Sequence, residues 1–312
     1  MIASFDRTLG RRAFFAGTGA SFAALALGGC QMAQGIASDP TRALSLVQGF
    51  QKRANLTPAD EVALGEGLYP RLVAQGGGAY ANPRVQSAVR RFAEPLFRAS
   101  RRQFRWEITV LDDNSPNAWS LPGGKLGLNK GLLRYVASEA ELAAAIAHEM
   151  GHAELSHQLD ELNNAGVFAH LGSILKDAAQ QEIDARVGGL GAITGPVLDR
   201  VAPEMVKIAA TGYSREHERE ADAFILAVFQ ASGYDPRQAS AVFRTLNALV
   251  PADVEATTSL FSTHPGTVER IELIDAAAAK LPAGGSGGGA AAFAEIKAVF
   301  PTRRYYLRDQ AG

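Results

Sequence analysis

The chain has 312 residues and a net charge of −1, from 31 Lys and Arg against 32 Asp and Glu. So even a balance gives no electrostatic case for nucleic acid, and 47% hydrophobic with 20% charged residues is a globular rather than a disordered composition. With one cysteine there is no intramolecular disulfide, so the fold relies on its core and on any metal it holds.

Residues 1–29 read as an export address rather than part of the fold. Arg11-Arg12-Ala13-Phe14-Phe15 resembles a twin-arginine signal, and the apolar run after it is too short and glycine-rich for a membrane span. It closes on Leu27-Gly28-Gly29-Cys30, which resembles a bacterial lipobox cut before Cys30, the residue that would take the lipid. Gln31, where Asp would signal inner-membrane retention, favours the outer membrane. Residues 30–54 then form a tether with a helix near 40–52.

Periodicity predicts helices near 58–75 and 83–99, and Gln103 to Leu111 alternates as a strand. Short strands follow at 117–121 and 125–128, then helices near 130–136, 139–157, 159–186, 197–230, 236–249 and 266–280. Gly188 to Gly195 interrupts this helical stretch, either as a lid or as a plain connection. Residues 283–289 are a flexible linker by composition. The tail 290–312, with Arg303, Arg304, Tyr305 and Tyr306, either docks as an edge strand or hangs free. A small sheet beside packed helices is an α+β, mostly helical fold.

The chemistry concentrates in His148-Glu149-Met150-Gly151-His152. Residues four apart on a helix share a face, so His148 and His152 can ligate one metal, with Glu149 placed to take a proton from a water the metal activates. Ser138 followed by Glu141 marks a capping-box start for that helix. A third ligand is needed. Continuing as H-E-x-x-H-x-x-G-x-x-H fails, because Leu155 and Gln158 hold the glycine and histidine positions. A helix running on from His152 would aim His157 about 140° away, so His157 reads as a surface residue. The better candidate is Glu218, with Asp222 four residues on to accept the free ring N–H of a ligating histidine. His217 would face about 100° from Glu218 and is given no role.

His-Glu-Met-Gly-His paired with Glu218-x-x-Ala221-Asp222 resembles the HtpX and CAAX-prenyl-protease family of zinc metalloendopeptidases, its soluble periplasmic lipoprotein branch (BepA and LoiP) in particular. Asn117-Ala118-Trp119-Ser120-Leu121-Pro122-Gly123-Gly124 is similar to the family's strand before the active helix. Thr263-His264-Pro265 with Arg270 is similar to its downstream His-Pro…Arg motif. The resemblance covers roughly residues 55 to 280 and implies a gluzincin-type protease domain at 55–282. It implies one zinc ion per chain, held by His148, His152 and Glu218, with Glu149 as general base. His264 would stabilise the oxyanion, fill the open metal position at rest, or merely cap the next helix. Asn117, Ala118 and Trp119 would bind an extended peptide along a strand edge, and Arg270 would orient substrate or sit on the surface. The expected activity is zinc-dependent endoproteolysis of unfolded or misassembled envelope proteins in the periplasm, at a membrane reached through Cys30. The alternative is a zinc-containing chaperone with little proteolysis.

Overall fold

The computed structural model describes residues 58–102, 104–167, 195–247, 264 and 268–302. The expected leader, Cys30, the helix near 40–52, most of the 188–195 glycine stretch and Arg303 to Tyr306 lie outside them. Helix α1 spans Pro58–Gln75 and α2 spans Pro83–Phe97. The Asn82 side chain caps α2 by accepting from the Arg84 and Val85 amides, and Pro83 has no amide to leave unpaired. Strands β1 (Glu107–Leu111), β2 (Ala118–Leu121) and β3 (Lys125–Asn129) lead into α3 (Lys130–Tyr135) and α4 (Glu139–Glu154). Then come α5 (His157–Asn164), α6 (Gly195–Thr211), α7 (Arg215–Ser232), α8 (Ala241–Asn247), α9 (Val268–Ala278) and α10 (Ala290–Val299).

The sheet has the order β1-β3-β2, β1 parallel and β2 antiparallel to β3. Alternation sends Ala118 to the α4 side, into a core with α2, α7 and α8, and Ser120 to Glu149 of α4. Trp119 and Leu121 join a second core with α1 and α6 on the opposite face. The sheet is therefore covered on both faces, which accounts for burial at all four positions of β2. Within the described sheet β2 is an edge by pairing, as expected, yet its side chains are buried rather than exposed. A cleft of about 180 Å³ lies beside it, lined by Asn117 and Trp119, the end of α1, and Val206 and Ala209 of α6.

Helix α4 is the centre of the molecule. Fifteen of its residues are buried, and the run of alanines lets neighbours approach on every side. Ser138 accepts from the Glu141 amide, while the Glu141 carboxylate reaches the Ala137 amide at 2.9 Å, one residue short of the reciprocal bond of a capping box. Helix α7 lies directly against α4 at Gly151, where an added Cβ would stand 3.0 Å from the Ala221 Cα. That approach brings the acidic side chains of α7 to the histidines of α4.

Two expected helices are corrected. The helix expected to run from 139 to 157 stops at Glu154 and a new one starts at His157, because Ser156 is left-handed (φ 60°). The helix expected at 197–230 is two, broken at Gly212, which also has positive φ. Residues 283–289, expected to be a flexible linker, are mostly exposed but touch the chain at Tyr234. Gly285 pairs with Tyr234, and a Cβ at Gly287 would lie 2.2 Å from the Tyr234 ring. Beyond them α10 is a helix docked on α2, neither an edge strand nor a free tail as far as residue 302.

Candidate metal centre

Four buried side chains converge: His148 and His152 from α4, Glu218 from α7, and His264, with one donor atom of each within 4.8 Å of all the others. His148 Nε2 stands 3.2 Å from His152 Nε2 and 3.2 Å from His264 Nδ1. Glu218 Oε1 lies 2.7 Å from His264 Nδ1 and 3.5 Å from His152 Nε2. A tetrahedral zinc site with bonds of about 2.0–2.1 Å places its donors about 3.3 Å apart, which matches three of these four spacings. Three ring nitrogens and a carboxylate oxygen aimed at one point are an arrangement that a cation satisfies. The donor set, three imidazoles and a carboxylate, is zinc chemistry.

Surrounding charges work in the same sense. Burial pushes the His148 ring down, but Asp222 and Glu218 outweigh it and hold the ring up at about 9. Burial drives His152 well below the ordinary range, and its histidine neighbours add to this against the pull of Glu218. Burial would raise Glu218, yet His264 and His148 bring it well below the carboxylate range. A site where one ring seeks a proton, its neighbour rejects one and the carboxylate stays charged holds a concentrated demand for positive charge, as a metal satisfies.

Glu149 is 1% exposed and lies between the donors and β2. Its Oε2 accepts from Ser120 Oγ at 3.0 Å, and Ser120 in turn accepts from Gln158 Nε2 at 2.9 Å. Its Oε1 is 3.3 Å from His264 Nε2. The Tyr213 ring stacks on His152 with centroids 3.8 Å apart. Asn117 accepts from the Ala118 amide and, with Trp119, lines the cleft beside β2.

Asp222 Oδ1 is 3.3 Å from His148 Nδ1, on the side of the ring away from the other donors. Arg270 does not lie on the surface. It is 7% exposed and grips Asp222 with Nε and Nη2 at 2.8 and 2.7 Å, while Nη1 meets Glu218 Oε2 at 2.7 Å. Burial pushes Asp222 up, and Arg270 outweighs it and keeps the carboxyl low. Arg270 is thus an internal clamp holding two carboxylates of α7.

His157 is a second correction. It is 1% exposed, with Nδ1 2.9 Å from His152 Nδ1 and Nε2 3.0 Å from Glu220 Oε2. The angle expected for a continuous helix does not apply, because the chain turns at Ser156. There Ser156 Oγ donates to Glu61 at 2.8 Å and accepts from Arg102 at 2.7 Å, within a buried Glu61–Arg102 pair. Such charge-assisted bonds offset a left-handed non-glycine conformation costing about 1–2 kcal/mol. His217, given no role from its helical angle, stacks on His157 at 4.2 Å and pairs with Glu161 and Asp160 of α5. A polar residue at 217 on an otherwise charged helix end gave no signal of this.

Relatives agree with the geometry. The mitochondrial metalloendopeptidase OMA1 of Arabidopsis thaliana is 31% identical over 54% of this chain and 31% of its own length. Metalloprotease YcaL of Escherichia coli K12 is 26% identical over 80% of this chain and 91% of its own. The β-barrel assembly-enhancing protease of the same strain is 28% identical over 41% of this chain and 25% of its own. The chain spans from about a third to about half of the OMA1 proteins it matches. The model of Peptidase family M48 matches residues 79–278, a span that takes in every converging donor, and the chain belongs to that family of zinc-dependent metalloendopeptidases.

Proposed function

We propose that this chain cleaves extended, unfolded proteins of the bacterial envelope, with His148, His152 and Glu218 as zinc ligands and Glu149 as general base. The observation that carries the reading is the convergence of four buried donors beside a buried carboxylate. When bound, zinc supplies Lewis acidity that polarises a carbonyl and acidifies water. Glu149 accepts the proton of the attacking water and delivers it to the leaving amine. Ser120 bonds one oxygen of that carboxylate and so aims the other. Asp222, held by Arg270, orients the His148 ring. His264, with Nδ1 beside His148 Nε2 and Nε2 3.3 Å from Glu149 Oε1, would either add a donor to the metal or support the oxyanion.

The substrate lies along β2 as a further strand, with Asn117, Ala118 and Trp119 beside it and a side chain in the cleft under α6. Main-chain pairing of this kind tolerates many sequences, as suits a protease of misassembled proteins. An envelope location is supported by the leader-like residues 1–29 and the lipobox-like Cys30, and by relatives named for β-barrel assembly. Among the described residues no helix is long and apolar enough to cross a membrane. Lipid on the lipobox-like Cys30 would supply an anchor. Residues 30–54 form its tether and 55–282 the protease domain.

Incubation of a permanently unfolded protein with the zinc-loaded chain should give fragments that a chelator or Glu149→Gln abolishes. Undiminished cleavage by a zinc-loaded Glu149→Gln chain removes the mechanism. Protection from aggregation without any cleavage points to a chaperone instead. A Cys30→Ser form that stays with membranes removes the lipid anchor.

A further inference from the structure

Four acidic side chains of α7 stand at alternate positions, Glu216, Glu218, Glu220 and Asp222, and the mechanism above uses only Glu218 and Asp222. Glu220 reaches the centre through another residue. The His152 ring turns Nε2 towards His148 Nε2 (3.2 Å) and Glu218 Oε1 (3.5 Å), and its opposite nitrogen meets His157 Nδ1 at 2.9 Å. His157 Nε2 then meets Glu220 Oε2 at 3.0 Å. All three are buried or nearly so, with side chains 0%, 1% and 13% exposed.

Proton bookkeeping along this row has one neutral solution. A carboxylate can only accept, so His157 Nε2 carries the hydrogen. The neutral His157 ring then has a bare Nδ1, which accepts from His152 Nδ1–H. His152 is left with its lone pair on Nε2, pointing into the donor cluster. His217, stacked on His157 and anchored by Glu161, blocks rotation of the His157 ring. His148 is served separately, by Asp222.

We propose that His157 and Glu220 form a positioning arm that sets the tautomer of His152, and that part of the zinc affinity resides in this arm. The inference rests on the ligand set proposed above. Partners of this kind are worth about 10–100-fold in metal affinity.

The test uses the full chain and zinc alone as ligand, with the dissociation constant read by chelator competition. His157→Phe, which keeps a ring and removes its acceptor, should weaken zinc about 10–100-fold. His157→Gln, whose amide oxygen can still accept, should recover part of the loss. Nitrogen-15 NMR of the metal-free parent should show His152 protonated on Nδ1. A His157→Phe chain that binds zinc as tightly as the parent, or a parent in the Nε2–H form, overturns the proposal. Should His157→Phe fail to fold by circular dichroism, Glu220→Leu at the rim of the row must show the same weakening, and parental affinity there overturns it. If Glu218→Gln leaves zinc binding intact, the ligand set itself has failed and the arm falls with it.

Discussion

Replacing Arg270 with methionine separates an internal clamp from a substrate contact. The guanidinium makes three contacts of 2.7–2.8 Å to two buried carboxylates, Asp222 and Glu218. Methionine fills much of the volume but leaves both carboxylates without their cation, and removing one partner of a buried ion pair costs about 3–5 kcal/mol. At about 2–4 °C per kcal/mol for a domain of this size, the metal-free chain should melt roughly 6–20 °C lower. Zinc restores part of this, because Glu218 regains a cation. Asp222 loses the group that holds its carboxyl low, so it rises and orients His148 less firmly. Arg270→Lys, which keeps a charge but not the two-point grip, should fall between parent and Arg270→Met. Melting followed by circular dichroism, with and without zinc, gives the result. A variant with parental melting and only a raised KM would show that Arg270 orients substrate, and would refute the clamp.

Three further outcomes are expected. Stripping zinc from a chain held at a thousand times its dissociation constant should lower stability by about 4 kcal/mol, and an unchanged calorimetric transition would mean the ion is not part of the fold. Ser120→Ala removes a hydrogen bond to a carboxylate worth about 1.5–3 kcal/mol, so kcat should drop about 10–100-fold with KM and zinc affinity kept; a kcat within twofold of the parent contradicts the aiming role. Gly287→Ala forces a side chain into a left-handed position (φ 68°), 2.2 Å from the Tyr234 ring. It should cost about 1–3 kcal/mol, and parental melting would mean that α10 is not clasped there.

Local pattern accounts for much of this molecule. Helix periodicity sets His148 and His152 on one face, Ser138 starts that helix, and the short strands follow from alternation and glycine turns. These are properties of neighbouring residues, so they can be read along the chain. Asp222 belongs with them, since its helical spacing from Glu218 already suggests a shared face.

The failures share a cause. His157 looks remote only while α4 is imagined to continue, and what stops α4 is a turn at Ser156 stabilised by Glu61 and Arg102, far off in sequence. Arg270 looks like a free cation until α9 packs against α7.

Sequence by itself determined the metal-binding helix, the reaction class and the general plan of helices around a small sheet, because each is written in spacings of a few residues. Tertiary structure alone decided which nitrogen of each histidine faces the centre, and that His157, Glu220 and Arg270 support it. Those choices depend on buried charges finding partners across the fold, where the low dielectric leaves no water to take their place.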